Sequence, residues 1–226
     1  MPAPLDARGI RGIVFDLDGT LIDSYGAITE SLNAALAALG FPTLAESRVR
    51  GLVGRGLETL MQRAMGLADA RDPNITKGIG HFRERYDEIC VRKTTLLPAV
   101  EPTLAELGRR GYLMSVATNK PSYFARRLLD SLGIGPYMRT VLGPDLVTHH
   151  KPHPAMVNEA LAAMSVRPDE AVYVGDMEVD VETARAAGLP VIVVATGSSS
   201  STELATAGAD LVLEEFPLLL DVLVTR

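Results

Sequence analysis

Short apolar runs rich in β-branched residues recur along this chain, separated by segments whose apolar positions repeat at helical spacing. The runs at 12–15, 113–118, 139–142, 171–174, 191–195 and 211–213 are apolar on both faces, as strands of a sheet covered on both sides must be. Helices between them are punctuated by proline at the start and glycine after the end. Pro98 opens one that stops at Gly111, Pro121 opens one that stops at Gly133, and Pro154 opens a third. A fourth, through 179–187, stops at Gly188. The alternation predicts an α/β fold: an open, doubly wound parallel sheet with helices on both faces.

One stretch breaks the alternation. Between 24 and 95 no strand pattern is evident, and helical periodicity at 27–39, 44–52, 57–65 and 75–92 takes its place. About 70 residues is too long for a single crossover. The expectation is a helical cap domain at 23–95 inserted into a core domain made of 1–22 and 96–226.

The 226 residues are 47% hydrophobic and 22% charged, enough for a substantial core. A formal net charge of −6 argues against a nucleic-acid-binding face, which needs clustered positive charge. A small anionic ligand remains compatible, because a lysine or bound cation reverses the field inside one cleft. The single cysteine, Cys90, cannot form an internal disulfide and reads as a small apolar residue on a helix. That suits a reducing, cytoplasmic setting. The opening segment lacks an apolar core of signal-peptide length, and no apolar run approaches the roughly 18 residues of a membrane span. Nothing in the sequence fixes an oligomeric state.

The candidate chemistry sits where an open α/β sheet presents its ligands, past the C-terminal strand ends. Asp16 and Asp18, in "FDLDGT", follow the first strand, and Thr118 and Asn119 end the second. Lys151, in "HHKPHP", follows the third, and Asp176 and Asp180, in "VGDMEVD", follow the fourth. A carboxylate can attack phosphorus and form an acyl phosphate. A second carboxylate can protonate the leaving group and then deprotonate water. A hydroxyl and an ammonium can hold the other phosphate oxygens. Converging carboxylates call for a cation, and oxygen-only ligation favours Mg²⁺. Singly, each feature has a plainer reading: Thr118–Asn119 as a helix cap, Lys151 as a solvated lysine, Asp176 and Asp180 as helix-start acids. The four strand ends in order favour one site. Residues two apart in extended chain point to the same side, so Asp16 and Asp18 are expected to address one volume.

This order of motifs resembles the haloacid dehalogenase-like hydrolase superfamily. "DLDGTL", "VATN", the lysine of "HHKPHP" and "VGDMEVD" are similar to its four motifs, and the helical insertion is similar to a C1-type cap. "LVGRGLETLM", "LLPAVEPTLAELGRRGY" and "ATNKP" resemble the phosphoglycolate phosphatase-like subgroup. The resemblance implies a Rossmann-like core and a Mg²⁺-dependent phosphatase acting on a small phosphorylated anion. It implies Asp16 as nucleophile and metal ligand. Asp18 would be the general acid/base, binding metal through its backbone carbonyl. Gly19 would allow close approach of the phosphate, and Thr118, Asn119 and Lys151 would hold its oxygens. Asp176 would ligate the metal, and Asp180 would support the metal or Lys151.

Two stretches depart from the pattern. Met177 and Val179 stand at polar positions of the fourth motif, and "TGSSSS" lacks an aromatic-containing loop. In the implied mechanism repulsion and burial keep a proton on Asp18 while metal holds Asp16 ionised. Arg48, Arg50 and Arg55 are cap-side cations for a substrate carboxylate, and Arg55, in "GRG", is the preferred one. A solvent-facing arginine is its plainer reading. His149 and His150 fit opposite sides of a loop better than a metal pair. A phosphosugar mutase of the β-phosphoglucomutase type shares the same core, as would a catalytically weak binding protein.

Overall fold

The computed structural model describes residues 9–223; residues 1–8, most of the opening segment read above, lie outside them. The sheet strands are β1 (Gly12–Phe15), β4 (Leu113–Ala117), β5 (Met138–Leu142), β6 (Ala171–Gly175), β7 (Val191–Val194) and β8 (Leu211–Leu213). All pair in parallel, in the order β5-β4-β1-β6-β7-β8. Each lies within a residue or so of the run that predicts it.

Alternate strand residues divide between two cores. Ile13, Phe15, Val116, Val174 and Ile192 face α5 (Val100–Arg109), α6 (Ser122–Ser131) and α10 (Leu219–Val222). Val14, Ala117, Tyr173, Val191 and Val193 face α7 (Ala155–Met164), α8 (Glu178–Ala187) and α9 (Ser201–Thr206). Burial on both faces makes the strands near-continuously apolar. The strand order turns outward on either side of β1 and β6, so the crevice for a ligand opens at their C-terminal ends.

Helices α1 (Tyr25–Ala38), α2 (Glu46–Arg50), α3 (Leu57–Met65) and α4 (Pro73–Ile89) occupy the stretch without strand pattern and pack on one another. Helix α1 buries Ile28, Leu32, Ala35 and Leu36, one stripe at helical spacing. Helix α4 starts at Pro73, with the Asp72 carboxylate accepting from the Asn74 N–H at 2.8 Å. Cys90 follows it, buried, and burial pushes its thiol up. The chain enters and leaves this segment through two short antiparallel strands, β2 (Ile22–Asp23) and β3 (Thr95–Leu96). Two-residue strands carry no periodicity, so the sequence reading missed them. Among the described residues no helix is long and apolar enough to cross a membrane.

Candidate active site

At the end of β1 the chain passes Asp16 into a tight turn, where the Gly19 N–H donates to the Ile22 carbonyl at 2.9 Å. Gly19 has φ +88°, and a Cβ there would collide with the Asp176 carboxylate, so only glycine fits. From the loop after β7 Thr196 donates to the Gly19 carbonyl at 2.7 Å. A Cβ on Gly197 would also overlap Asp176, so the "TGSSSS" loop helps wall the site.

Three of the expected carboxylates converge. Oxygens of Asp16, Asp176 and Asp180 lie within 4.8 Å of one another, all buried. Lys151, 1% exposed, puts its ammonium 2.9 Å from Asp16 Oδ1 and 2.7 Å from Asp180 Oδ1. Burial works to lower the Lys151 pKa, but the charges of Asp16 and Asp180 hold it well above its usual value. Burial pushes the Asp16 carboxyl up to about 6 against the pull of Lys151. Asp176 is raised well above the carboxylate range by burial and by the neighbouring Asp180 and Asp16 charges. Thr20 donates to its Oδ1 at 2.7 Å, while its buried Oδ2 has no hydrogen-bond partner among the described residues. An orphaned carboxylate oxygen in an all-oxygen cluster fits a hard divalent cation. Asp180 is otherwise occupied: its Oδ2 accepts from the Asp176 and Met177 N–H groups, so it orients Lys151 and caps the start of α8.

Asp18 departs from the expected arrangement. Its carboxylate is not among the converging three, because both oxygens lie 2.9 Å from the Lys120 ammonium and Ser24 donates to one of them. The turn after Leu17 splays the two aspartates, and each faces its own lysine. The repulsion that the implied mechanism used to keep a proton on Asp18 is therefore offset by two ammonium groups. Burial works against the Lys120 charge, but Asp18 raises its pKa. Lys120 is a site residue the sequence reading missed. It lies two after Thr118, the same spacing that drew attention to Asp16 and Asp18. Its ammonium also lies 4.8 Å from the Tyr86 ring centre, which favours a cation.

Thr118 and Asn119 are buried at the end of β4 and do not cap α6, which starts from Pro121. Thr118 lines the cavity, with its hydroxyl accepting from the Lys120 N–H at 3.3 Å. The Asn119 amide is taken up by its neighbours: Nδ2 donates to the carbonyls of Gly54 (2.8 Å) and Lys151 (3.2 Å), and Oδ1 accepts from the Lys151 N–H at 3.0 Å. Both side-chain amide hydrogens are thereby engaged within the protein. His150 Nδ1 lies 2.9 Å from the Lys151 carbonyl, and His149 stacks on His153 at 4.5 Å. The two adjacent histidines do face different ways.

Above these groups a cavity of about 70 Å³ is floored by Asp16, Asp18, Thr118 and Lys120 and walled by Ile28, Leu57, Leu60, Phe82, Phe124 and Met177. Arg55 is not among its lining residues. Its guanidinium binds Glu182 on α8 at 2.7 and 3.3 Å, because the loop that carries it lies against the start of that helix. Arg50 stacks over the Tyr25 ring at 4.1 Å and pairs with Asp23 and Glu46, and Arg48 is exposed. No cap-side arginine reaches the cavity as the sequence reading expected.

The sequence profile of haloacid dehalogenase-like hydrolases matches residues 13–194, a span that includes Asp16, Asp18, Thr118, Lys120, Lys151, Asp176 and Asp180. The chain belongs to this family. A curated phosphoglycolate phosphatase of Photorhabdus laumondii is 37% identical over 215 residues, covering 94% of this chain and 92% of its own. One from Yersinia pseudotuberculosis is 36% identical, covering 94% and 93%. Among solved structures, a predicted phosphoglycolate phosphatase from Haemophilus somnus superimposes with a TM-score of 0.87 at 28% identity, covering 95% of this chain and 98% of its own. CbbY from Rhodobacter sphaeroides in complex with phosphate gives 0.81 at 26% identity, covering 95% and 99%. The family assignment and the sheet order agree with the open, doubly wound parallel α/β sheet expected from the alternation of strands and helices.

Proposed function

We propose that this hydrolase removes phosphate from 2-phosphoglycolate, or a small phosphomonoester like it, at Asp16. The observation that supports it most is a buried carboxylate on the cavity floor, 2.9 Å from a buried lysine and beside an orphaned carboxylate oxygen. The chain is a phosphoric monoester hydrolase, as its family and its relatives' names agree. A cavity of about 70 Å³ suits a phosphoryl group with a short leaving group. Lys120, the one cation among the described residues that line that cavity, would face the carboxylate of such a substrate.

In this reading Asp16 attacks phosphorus in line, and Asp18, which takes up a proton as Lys120 turns from it to the substrate, gives that proton to the leaving oxygen. Asp18 then draws a proton from water as the aspartyl phosphate opens. Lys151 holds charge on the phosphoryl oxygens, and Asp180 fixes its ammonium. Asp16 and Asp176 would hold a divalent cation, which we take to be Mg²⁺ from the oxygen-only donor set, with the Asp18 carbonyl as third ligand. That ion supplies counter-charge to the carboxylates and the phosphate. Residues 23–95 act as the cap, and Tyr86 against Phe124 at 5.0 Å helps seat it on the core. A cytoplasmic setting suits the unpaired Cys90.

The test is a panel of 2-phosphoglycolate, p-nitrophenyl phosphate and β-glucose 1-phosphate, with Mg²⁺ or with chelator. Free phosphate from 2-phosphoglycolate, dependent on Mg²⁺, is expected. Isomerisation of the sugar phosphate without phosphate release would favour the mutase, and no reaction at all the binding protein.

A further inference from the structure

We propose that Asn119 is a positioning residue that ties the seating of the 54–56 loop to the placement of Lys151. The loop Gly54-Arg55-Gly56 belongs to the helical segment and touches the core at three points. Asn119 Nδ2 donates to the Gly54 carbonyl at 2.8 Å. Met177, at the polar position that this sequence fills with an apolar residue, lies so close over Gly54 that a Cβ there would come within 2.6 Å of its Sδ. Arg55 closes a bidentate pair with Glu182.

Asn119 also grips Lys151 from both sides of its backbone, through the N–H at 3.0 Å and the carbonyl at 3.2 Å. Lys151 in turn places its ammonium on Asp16. When the loop lifts, one hydrogen of a buried amide loses its acceptor. The Gly54 carbonyl then no longer fixes the plane of the amide, and its grip on Lys151 loosens. Loop closure and lysine placement are thereby one event, and Met177 explains why Gly54 carries no side chain. The inference rests on the reading that Lys151 and Asp16 act on the phosphoryl group.

The test uses p-nitrophenyl phosphate, which has no second anionic group for the loop to recognise. Gly54→Ala and Asn119→Ala are each expected to lower kcat about 10–100-fold, the usual effect of losing such a supporting hydrogen bond, with KM within about threefold. The double variant is expected to be no worse than Asn119→Ala alone. A rise in KM with kcat unchanged in Gly54→Ala, or effects that multiply, overturns the proposal. Charge reversal covers the case in which Gly54→Ala does not fold. Arg55→Glu and Glu182→Arg are each expected to cost about 2–5-fold in kcat, the scale of a half-exposed ion pair, and to restore activity when combined. That cost must vanish in an Asn119→Ala background; if it persists there, the loop acts without Asn119. A wild-type protein that turns over no phosphate ester would instead overturn the phosphatase reading.

Discussion

Asp176 is fully buried, held by Thr20 through one oxygen and, among the described residues, by no hydrogen bond through the other. Such a residue favours ligand binding at the cost of stability. Its raised pKa means that the folded protein binds a proton more tightly than the unfolded chain, so this contribution to stability falls as pH rises. Metal-free Asp176→Asn, which keeps the Thr20 contact, is therefore expected to melt above the metal-free wild type at about pH 8. The gain is about 1–2 kcal/mol, or roughly 2–8 °C in a chain of this size. The gap narrows on acidification, and added Mg²⁺ raises the Tm of the wild type only. Thermal melts at two pH values with and without metal check all three. The motif aspartates and Lys151 were legible because strand ends and residue order announce them. Lys120 carried only a period-two hint. Arg55 looked free because sequence cannot show a carboxylate on a helix more than a hundred residues away.

The turn from β1 to β2 is the element on which the site depends. Gly19 is there for two reasons, a φ of +88° and the lack of room beside Asp176 and the Tyr25 hydroxyl. Gly19→Ala is expected to cost about 1–3 kcal/mol from backbone strain and to weaken metal binding by displacing Asp176. Calorimetric titration with Mg²⁺ beside a denaturant melt separates the two effects. The long strands and helices were readable from periodicity and from proline and glycine punctuation. What escaped was set by geometry. β2 and β3 are two residues long, and α2 spans 46–50 where apolar spacing suggested 44–52. Nor does the loop after β7 show in its sequence that Thr196 and Gly197 brace the β1 turn.

Across the molecule, the helical segment meets the core through contacts of different kinds. Arg127 on α6 binds Asp87 on α4 at 2.6 Å, Tyr86 meets Phe124, Asn119 reaches Gly54 and Arg55 reaches Glu182. Each joins residues 38 or more positions apart, which local pattern cannot foresee. The sequence therefore pointed to a helical stretch and to a set of chemical groups, but not to how the two meet. Uniting both halves is a chemical claim: a phosphoryl group enters the cavity and is transferred to Asp16. It is tested most directly by phosphate release from 2-phosphoglycolate in Mg²⁺, comparing wild type with Asp16→Asn at matched Tm and circular dichroism. The account predicts Mg²⁺-dependent release by the wild type and a loss of about a thousandfold or more in the variant. A folded Asp16→Asn protein that keeps more than about a tenth of the wild-type rate would contradict it.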